Sequence, residues 1–369
     1  MNLQDDKVNK EIIALLGQRQ LPVDGVADYC DRLQQQLAKQ GYTLKQVRLP
    51  WHQIGWVRSL SWVWQESTIW QGKWVLVQYT AGSWSWKAIP LTFLVMLIIL
   101  RLHRVRLAVI FHDQQGYPGK RPIDRVRRTL QHSIMRTAYA WAEKSILTMP
   151  AEAVPWLRPN STKTVTIPVG ANIPEPSQNL RKERPNNQKT IAVFGVFDVN
   201  ISPREANDIA YTVKRAAQQI SPLHLIVLGR GSQEAKQLLE EELQTVNVTV
   251  SVLGLLPPEQ ISQTLFTADV LLFVRPLSTG RTTAMAGIAC GLPLVAYGGA
   301  ETKPPVTEAG VLLAPIGDRE ALAEALVRVL KEDNLWLDLH QRSIEAQQKH
   351  FSWNAITDKF LKVLANEQT

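Results

Sequence analysis

The sequence predicts an α/β protein with two Rossmann-like domains, each built on a parallel, doubly wound sheet. Short apolar runs alternate along the chain with longer segments of helical periodicity, which is typical of strands and helices that follow one another in parallel sheets. The alternation stops at a proline-rich, polar stretch, residues 172–189, and then starts again. A chain of 369 residues is long enough to give each of two domains its own core.

The first domain is predicted over residues 1–175. Its apolar runs are rich in β-branched and aromatic residues, which favour strands, and the segments between them repeat apolar residues at helical spacing. The predicted strands are Ile12–Leu16, Thr43–Leu49, Trp74–Gln78, Ala108–Phe111, Ser145–Thr148 and Thr164–Ile167. The predicted helices are Ala27–Gln40, Ala88–His103, Ile123–Lys144 and Ala151–Leu157.

The second domain is predicted over residues 190–350, after a linker over residues 176–189 that is too polar to form a core. Its predicted strands are Thr190–Phe194, His224–Leu228, Val248–Leu253, Val270–Val274, Leu294–Ala296 and Val311–Leu313. Its predicted helices are Arg204–Gln219, Gln233–Glu241, Pro258–Thr267, Thr282–Ala289, Arg319–Lys331 and Asn334–His350. Residues 351–369 are expected to form a last helix that packs back toward the first domain. Ligands of such sheets bind at the carboxyl ends of the strands, so we expect a ligand in a cleft between the domains.

Composition narrows the class of protein. A total of 41 Lys and Arg against 33 Asp and Glu gives a net charge of +8, which favours anionic partners such as nucleotides and phospholipid headgroups. Only two cysteines, Cys30 and Cys290, are present, too few for a disulfide scaffold or a cysteine metal cluster. The polar N-terminus indicates no secretory signal. The longest apolar run, residues 88–100, is shorter than the ~20 residues of a membrane span. We therefore expect a cytoplasmic protein that can associate peripherally with the inner face of the membrane.

Eight of the twelve tryptophans lie between Trp51 and Trp86. One interpretation is that they fill the core around a long connection, since tryptophan is highly buried on average. The other is an aromatic surface for a sugar or for the membrane interface, where tryptophan is favoured.

The loop after the first predicted strand contains Gly17 and Gly25 and leads into a helix. A strand, a glycine-containing loop and a helix can present backbone N–H groups to a phosphate. The loop lacks the Gly-x-Gly-x-x-Gly pattern of dinucleotide sites. A plain strand–helix turn is therefore an equal alternative.

His112 and Asp113 stand at the carboxyl end of the fourth predicted strand. A histidine in that position can act as a proton donor or base toward a bound ligand. The alternative is a histidine at a turn that Asp113 caps.

The strongest local signal is the segment Val274–Thr283, VRPLSTGRTT, in which a strand enters a glycine- and hydroxyl-rich turn that opens a helix. The N–H groups of Gly280 to Thr283, the helix dipole and the Arg281 guanidinium can together bind a diphosphate. The alternative is an ordinary capped helix start with a solvated arginine.

Motifs along almost the whole chain resemble those of the large family of retaining, nucleotide-sugar-dependent glycosyltransferases with the GT-B fold, which includes bacterial mannosyltransferases and sucrose-type synthases. In the first half the similar segments are Val23–Tyr29 with Leu33, Gln78-Tyr79, His112-Asp113 and Ile167–Asn172. In the second half they are Leu225–Gly231, Val252–Val274, Ala289–Ala296, Ala314–Asp318 and Phe351–Trp353.

The sequence also departs from the family pattern. The family has two glutamates eight positions apart around its donor turn, and Ser278 and Ala286 stand at those positions here. The family tends to have an arginine and a lysine just after the first donor-domain strand. In this chain Arg204 is the first cation after Phe194-Gly195, while Arg281 lies inside the donor turn.

The resemblance implies a metal-independent retaining glycosyltransferase, with a nucleotide-sugar donor, a glycan or lipid-linked acceptor and no cofactor, in cell-surface polysaccharide or glycolipid synthesis. The expected donor-binding residues are Ser278, Thr279, Gly280, Arg281, Thr282, Thr283, Arg204 and Gly229. His112 is the expected catalytic residue, and Gly25, Asp28, Tyr79 and Asp113 are expected on the acceptor side. The missing glutamates motivate the alternative of a non-catalytic nucleotide-sugar-binding subunit of a glycosyltransferase complex. No Asp-x-Asp placed for a metal is seen, and no oligomeric state is indicated.

A basic run from Arg101 to Arg136 adjoins the apolar run of residues 88–100 and contains two acidic residues, Asp113 and Asp124. Arg121, Arg125 and Arg128 are spaced to share one helix face. This pattern predicts attraction to an anionic membrane surface, and a solvated basic helix is the alternative. A nucleic-acid partner is not expected, because the cations are otherwise scattered and no known nucleic-acid module is present.

Overall fold

The structure is a computed structural model that describes residues 10–18, 24–86, 89–119, 121–158, 161–175, 188–196 and 203–365. It has two compact units. Unit 1 comprises Met1–Pro168 and Ile356–Thr369, and unit 2 comprises Val169–Ala355. The division therefore falls at Pro168 rather than at residue 175. Of the predicted linker, residues 176–187 lie outside the described ranges.

Unit 1 contains a six-stranded parallel sheet in the order β2-β1-β3-β4-β5-β6. The strands are β1 (Glu11–Leu16), β2 (Thr43–Arg48), β3 (Trp74–Tyr79), β4 (Arg106–Phe111), β5 (Lys144–Leu147) and β6 (Thr164–Thr166). The helices are α1 (Gly25–Lys39), α2 (Trp51–Glu66), α3 (Leu91–Leu102), α4 (Pro122–Trp141) and the C-terminal α11 (Trp353–Leu364), of which the part from Ile356 belongs to this unit. Because helices cover both faces of the sheet, β3 is buried along its whole length, and Trp74 to Val77 form a continuous apolar run.

The tryptophan-rich stretch combines both predicted interpretations. Trp70 and Trp84 are fully buried in the core of unit 1, whereas Trp64 and Trp86 are at least half exposed. The first part of the stretch is the helix α2, where the sequence suggested a long connection. Gly55 interrupts that helix with φ 79° and ψ 163°, a conformation that glycine adopts without steric cost.

One predicted helix, Ala151–Leu157, is wrong. The structure has only a short 3₁₀ turn, Ala151–Ala153, at this place. Pro155 follows it, and a proline disfavours the helical conformation of the residue before it and lacks the N–H that a helix needs.

Unit 2 contains a second six-stranded parallel sheet, in the order β12-β11-β10-β7-β8-β9. Its strands are β7 (Lys189–Phe194), β8 (Leu223–Leu228), β9 (Val248–Gly254), β10 (Val270–Pro276), β11 (Leu294–Tyr297) and β12 (Val311–Ala314). Its helices are α5 (Arg204–Ala217), α6 (Ser232–Leu243), α7 (Pro258–Thr267), α8 (Thr282–Ala289), α9 (Arg319–Lys331) and α10 (Asp333–Ala346), which a π-helical turn, Gln347–Phe351, extends. The two sheets confirm the predicted fold class.

Each sheet has a point at which successive connections run in opposite directions. In unit 2 this point lies between β7 and β10, and in unit 1 between β1 and β3. Loops diverge there and leave a crevice at the carboxyl ends of the strands, where doubly wound sheets bind ligands. The fold therefore directs attention to the loops that follow these four strands.

Among the described residues, no helix combines the length and apolarity that crossing a membrane requires.

Candidate functional site

The turn between β10 and α8 is fixed from its first residue. Leu277 donates its N–H to Tyr297 O at 2.9 Å and accepts a hydrogen bond from Thr302 Oγ1 at 2.6 Å. Ser278 and Thr279 follow as buried residues, and the Thr279 carbonyl accepts the N–H of Val169 at 3.0 Å. These two predicted donor residues shape the turn and have little surface to offer a ligand.

The open part of the turn begins at Gly280. Arg281 accepts the first two backbone bonds of α8, from Ala284 and Met285 at 3.0 Å each, and its side chain is exposed. The N–H groups of Thr282 and Thr283 belong to the first helical turn, which has no intrahelical acceptor for them. A helix start of this kind carries a partial positive charge and binds anions. The structure thus brings Gly280 to Thr283 together as one polar, positively charged end.

Neither position of the family's glutamate pair has a free surface. Ser278 and Ala286 are each 1% exposed, and neither carries charge. Nearby at the switch point of the sheet, the Arg275 guanidinium lies 3.6 Å from the Glu205 carboxylate and over the ring of Phe273 at 4.6 Å. Arg275 at the end of β10 and Glu205 in the first turn of α5 were not among the predicted site residues. The sequence feature that could have identified them is their position at the ends of a predicted strand and a predicted helix.

Arg204 lies in unit 2 and is the first residue of α5. It lines a cavity of about 380 Å³ formed by Pro203, Arg204, Asn207, Asp208, Gly317 and Arg319. The buried Asp208 carboxylate lies 3.9 Å from Arg204 Nε and 3.8 Å from Arg319 Nε. Two guanidinium groups against one carboxylate leave the cavity positively charged, which suits an anion.

Gly229, predicted to bind the donor, has its backbone engaged within unit 2. Its N–H donates to Gly254 O at 2.7 Å, and its φ of 85° places it in the left-handed region. A Cβ there would lie 2.8 Å from the Phe194 ring. The glycine therefore permits close packing of the loop after β8 against β7, and its N–H is not available to a phosphate.

His112 follows β4 and is held by two side chains of unit 1. Its Nε2 lies 2.8 Å from Gln78 Oε1, and its ring stands edge-on to Tyr29 at 5.1 Å. Because an amide oxygen accepts hydrogen bonds, this geometry assigns the proton to Nε2 and leaves Nδ1 as an acceptor. Burial lowers the pKa of His112 to about 4, so the ring is neutral at pH 7.

The side chain of Tyr79 lies in the core of unit 1, whereas the sequence-based prediction put it on the acceptor side. Its side chain is 0% exposed and its ring packs between Phe93 and Phe111, at 5.1 and 5.5 Å. Burial raises the pKa of the Tyr79 hydroxyl. The backbone of Tyr79 still serves the site, because its carbonyl accepts the N–H of His112 at 3.0 Å.

The loop after β1 is clamped on both sides of residues 19–23, which lie outside the described ranges. Arg48 donates to Gly17 O at 3.0 Å and pairs with Asp24 at 3.2 Å. A Cβ on Gly17 would lie 2.3 Å from Ser83 O, whereas nothing lies within 4 Å of a Cβ on Gly25. Gly25 is thus open to solvent.

The remaining residues predicted on the acceptor side, Asp28 on α1 and Asp113 after β4, are both exposed. Within the described ranges, no three His, Cys, Asp or Glu side chains are grouped so that they could hold a metal ion. Metal independence stays a prediction.

Comparison with known proteins identifies the second half of the chain. Residues 188–332 match the family model described as glycosyl transferases group 1. The chain is a glycosyltransferase. The matched range runs from β7 to α9 and includes the turn of Gly280 to Thr283. A search of curated proteins finds no match to the sequence.

Solved structures support the GT-B fold of this glycosyltransferase over nearly its whole length. The chain is similar to a sucrose-phosphate synthase from Thermosynechococcus elongatus, with 18% identity, a TM-score of 0.65 and coverage of 96% of this chain and 98% of that one. It is similar to a glycosyltransferase from Rickettsia africae at 13% identity and TM-score 0.66, with coverage of 97% and 99%. A third similar structure is MnaA of S. aureus with UDP, at 13% identity and TM-score 0.59, with coverage of 96% and 97%.

Proposed function

We propose that this glycosyltransferase takes its sugar from a nucleotide-sugar donor whose diphosphate binds at Gly280 to Thr283. The observation that carries the proposal is the α8 helix start, whose first N–H groups have no acceptor within the helix, beside the exposed Arg281 and inside the group 1 glycosyltransferase domain. The similar MnaA structure contains UDP, which supports a nucleoside diphosphate as the ligand.

In the proposed reaction, the bond between the sugar's anomeric carbon and the diphosphate breaks, and the electron pair leaves with the nucleoside diphosphate. The added negative charge is stabilised by the Arg281 guanidinium and by the N–H groups of Thr282 and Thr283. The acceptor hydroxyl forms the new glycosidic bond with retained configuration and gives its proton to the departing diphosphate. We assign no protein nucleophile to this step.

The proposed acceptor is a glycan or a lipid-linked sugar, used in the synthesis of cell-surface polysaccharide or glycolipid. We place it at unit 1, on the side of His112, Asp28 and Asp113. Neutral His112 has its Nδ1 available as a hydrogen-bond acceptor for a sugar hydroxyl. The two exposed carboxylates can accept hydrogen bonds from further hydroxyls.

A second candidate function is a nucleotide-sugar-binding subunit without catalytic activity. The observation that favours it is the buried, uncharged pair Ser278 and Ala286, where the resembling family has glutamates. Such a subunit would bind the donor and leave it intact.

The two candidates separate in one experiment on the full chain. Binding and turnover are measured against a panel of UDP-, GDP-, ADP- and dTDP-sugars, by calorimetry and by release of the nucleoside diphosphate. Binding of a donor with release of its nucleoside diphosphate supports the glycosyltransferase. Binding of a donor without that release, in the presence of a panel of glycan and lipid acceptors, supports the non-catalytic subunit. If no donor binds, both candidates are contradicted.

Arg281→Ala tests the donor site itself. We expect it to weaken nucleoside-diphosphate binding by about 1.5–3 kcal/mol, the range for hydrogen bonds to a charged group. Arg328→Ala, which removes an exposed arginine of α9 in the same unit, is the matched control and should bind normally. Equal affinity of both variants, with intact circular dichroism, would contradict the assignment.

A further inference from the structure

Helix α3 has two apolar faces, and only one of them packs in the core. Phe93, Met96, Leu97 and Leu100 are fully buried. On the opposite face four large aliphatic side chains recur at helical spacing and are between 43% and 64% exposed, namely Leu91, Val95, Ile98 and Leu102. Soluble monomers rarely expose a continuous apolar stripe of this length, and such stripes mark interaction sites.

The neighbouring helices also expose apolar side chains. α3 packs against both α2 and α4. On α4, a second stripe of exposed aliphatic residues comprises Ile123, Val126 and Leu130, at 54%, 54% and 38% exposure. At the end of α2, Trp64 is 50% exposed and stands edge-on to His103, the residue that caps α3, at 4.6 Å.

Exposed arginines surround the two stripes. Arg121 and Arg125 are exposed on the first turns of α4, and Arg104 is exposed just after α3. Arg101 is also exposed and donates to the carbonyl of Trp141, the last residue of α4, so it ties the two helices together. The run from Arg101 to Arg136 contains two acidic residues. Asp124 is buried and lies 3.7 Å from Arg127, and Asp113 is exposed after β4.

The structure also revises the predicted basic face. Arg128 does not face solvent freely, because it donates to the carbonyls of Tyr117 and Gly119 at 2.8 and 2.5 Å. Arg136 likewise donates to Trp156 O at 2.9 Å. Arg101 is engaged in the same way at the Trp141 carbonyl, so the exposed cations that remain for a partner are Arg104, Arg121 and Arg125.

We propose that this surface, the exposed stripes of α3 and α4 with their flanking arginines, docks on an anionic lipid bilayer. Aliphatic side chains enter the boundary of the acyl region while arginines contact phosphates of the headgroups, and a tryptophan at the rim suits that boundary. The charge argues for lipid over protein as the occupant, because three exposed cations beside apolar side chains complement a surface that is both apolar and negatively charged.

This docking goes beyond the proposed transfer reaction and does not depend on it. A docked unit 1 would receive an acceptor that is itself anchored in the bilayer.

The test is flotation of the full-length protein with vesicles that contain no acceptor and no donor. We expect binding to phosphatidylcholine vesicles that include phosphatidylglycerol, and weak binding to phosphatidylcholine alone. Each exposed arginine near an anionic leaflet strengthens binding about fivefold, so Arg121→Gln with Arg125→Gln should weaken it about 20- to 30-fold. The matched control is Lys236→Gln with Lys331→Gln, which removes two exposed cations of unit 2.

A second pair of variants tests the apolar stripe. Leu102 is 64% exposed on α3 and Leu337 is 60% exposed on α10. Replacing either leucine by glutamine therefore removes a similar area of exposed apolar surface. We expect Leu102→Gln to weaken vesicle binding about tenfold and Leu337→Gln to leave it unchanged.

Three results would overturn the proposal. The first is a protein that stays unbound with anionic vesicles at low salt. The second is binding that all four variants leave equal. The third is a dimer in solution that Leu102→Gln converts to a monomer, since a second copy of the chain would then be the occupant. None of these bears on donor binding, so failure here leaves the proposed transfer reaction standing.

Discussion

Gly17 and Gly25 flank the same loop, but only Gly17 lies where a side chain cannot fit. A Cβ at position 17 would lie 2.3 Å from the carbonyl oxygen of Ser83, which also accepts hydrogen bonds from Gln18 N at 2.7 Å and Trp51 Nε1 at 2.9 Å. We expect Gly17→Ala to destabilise unit 1 by about 1–3 kcal/mol, the usual cost of overpacking. Gly25→Ala, with open space around it, is the control and should change stability little in urea unfolding. Equal stability of the two variants would mean that the loop is not packed as described.

His112 should make the stability of unit 1 depend on pH. Burial lowers its pKa to about 4 in the folded state, while the unfolded chain binds a proton at the ordinary value of about 6.5. Stability from this group is therefore complete above pH 6.5 and is lost as the pH falls toward 4, by about 3 kcal/mol in total.

We expect His112→Gln to reduce that pH dependence, because glutamine does not titrate. The measurement is urea unfolding of both proteins at pH 7 and pH 4.5, followed by tryptophan fluorescence, which reports mainly on unit 1. Parallel losses in the two proteins would contradict a buried, neutral His112.

Sequence reasoning located some residues of the site but not their partners. His112 was predicted from its place at a strand end, yet Gln78, which holds its ring, lies on another strand and was read only as part of a motif. Tyr79 was predicted on the acceptor side because the motif contains it, but β3 is buried on both faces, so the ring packs in the core. Such contacts depend on the neighbouring strand, which no local pattern specifies.

At the scale of elements, the hydroxyl of Tyr297 joins β11 to α5. It donates to the buried Asp208 carboxylate at 3.2 Å, and burial together with that negative charge raises the pKa of Tyr297. Tyr297→Phe removes a donor from a buried charged acceptor, which should cost unit 2 about 1–3 kcal/mol.

Tyr211→Phe is the matched control for this change. The Tyr211 hydroxyl donates from the same helix, α5, to the Glu320 carboxylate, which is well exposed to solvent. Water can replace that hydrogen bond, so we expect no measurable change. Denaturant unfolding of unit 2 compares the two variants, and similar losses would show that burial of Asp208 does not decide the effect.

Element prediction succeeded where one face of a helix is clearly apolar and failed where it is not. In α5, eight buried residues recur along one side, and the predicted and observed helices begin at the same residue. In α2 only Trp51, Ser59 and Val63 are buried. Because its tryptophans are not confined to the buried side, the apolar residues of this helix do not recur at helical spacing in the sequence. Gly55 adds a break that resembles a turn in sequence.

At the scale of the whole molecule, the order of the strands in each sheet could not be predicted from the sequence. Alternation of strands and helices predicts a parallel sheet, but the pairs β1 with β3 and β7 with β10 join segments far apart in the chain. Those two pairs create the switch point of each sheet, and the turn of Gly280 to Thr283 follows one of the strands there, β10. The fold class was thus predictable, while the crevice that positions the residues was not.

The last helix of the chain should stabilise the first unit. The residues of α11 from Ile356 belong to unit 1, where Phe360 is 1% exposed and lies 6.5 Å from the ring of Tyr29. The indole N–H of Trp74 donates to the carbonyl of Leu364 at 3.2 Å. Contacts between the two ends of the chain therefore form part of the core of this unit.

We expect Phe360→Ala to lower the stability of unit 1 by about 3–5 kcal/mol, the usual cost of removing a buried aromatic side chain. Lys362→Ala, which changes an exposed residue of the same helix, controls for effects on the helix itself. Unit 1 holds ten of the twelve tryptophans, so tryptophan fluorescence follows mainly its unfolding. Far-ultraviolet circular dichroism reports both units. A fluorescence transition that moves to lower denaturant only in Phe360→Ala supports the assignment of α11 to unit 1, because a helix packed elsewhere would leave that transition where it is in the wild-type protein.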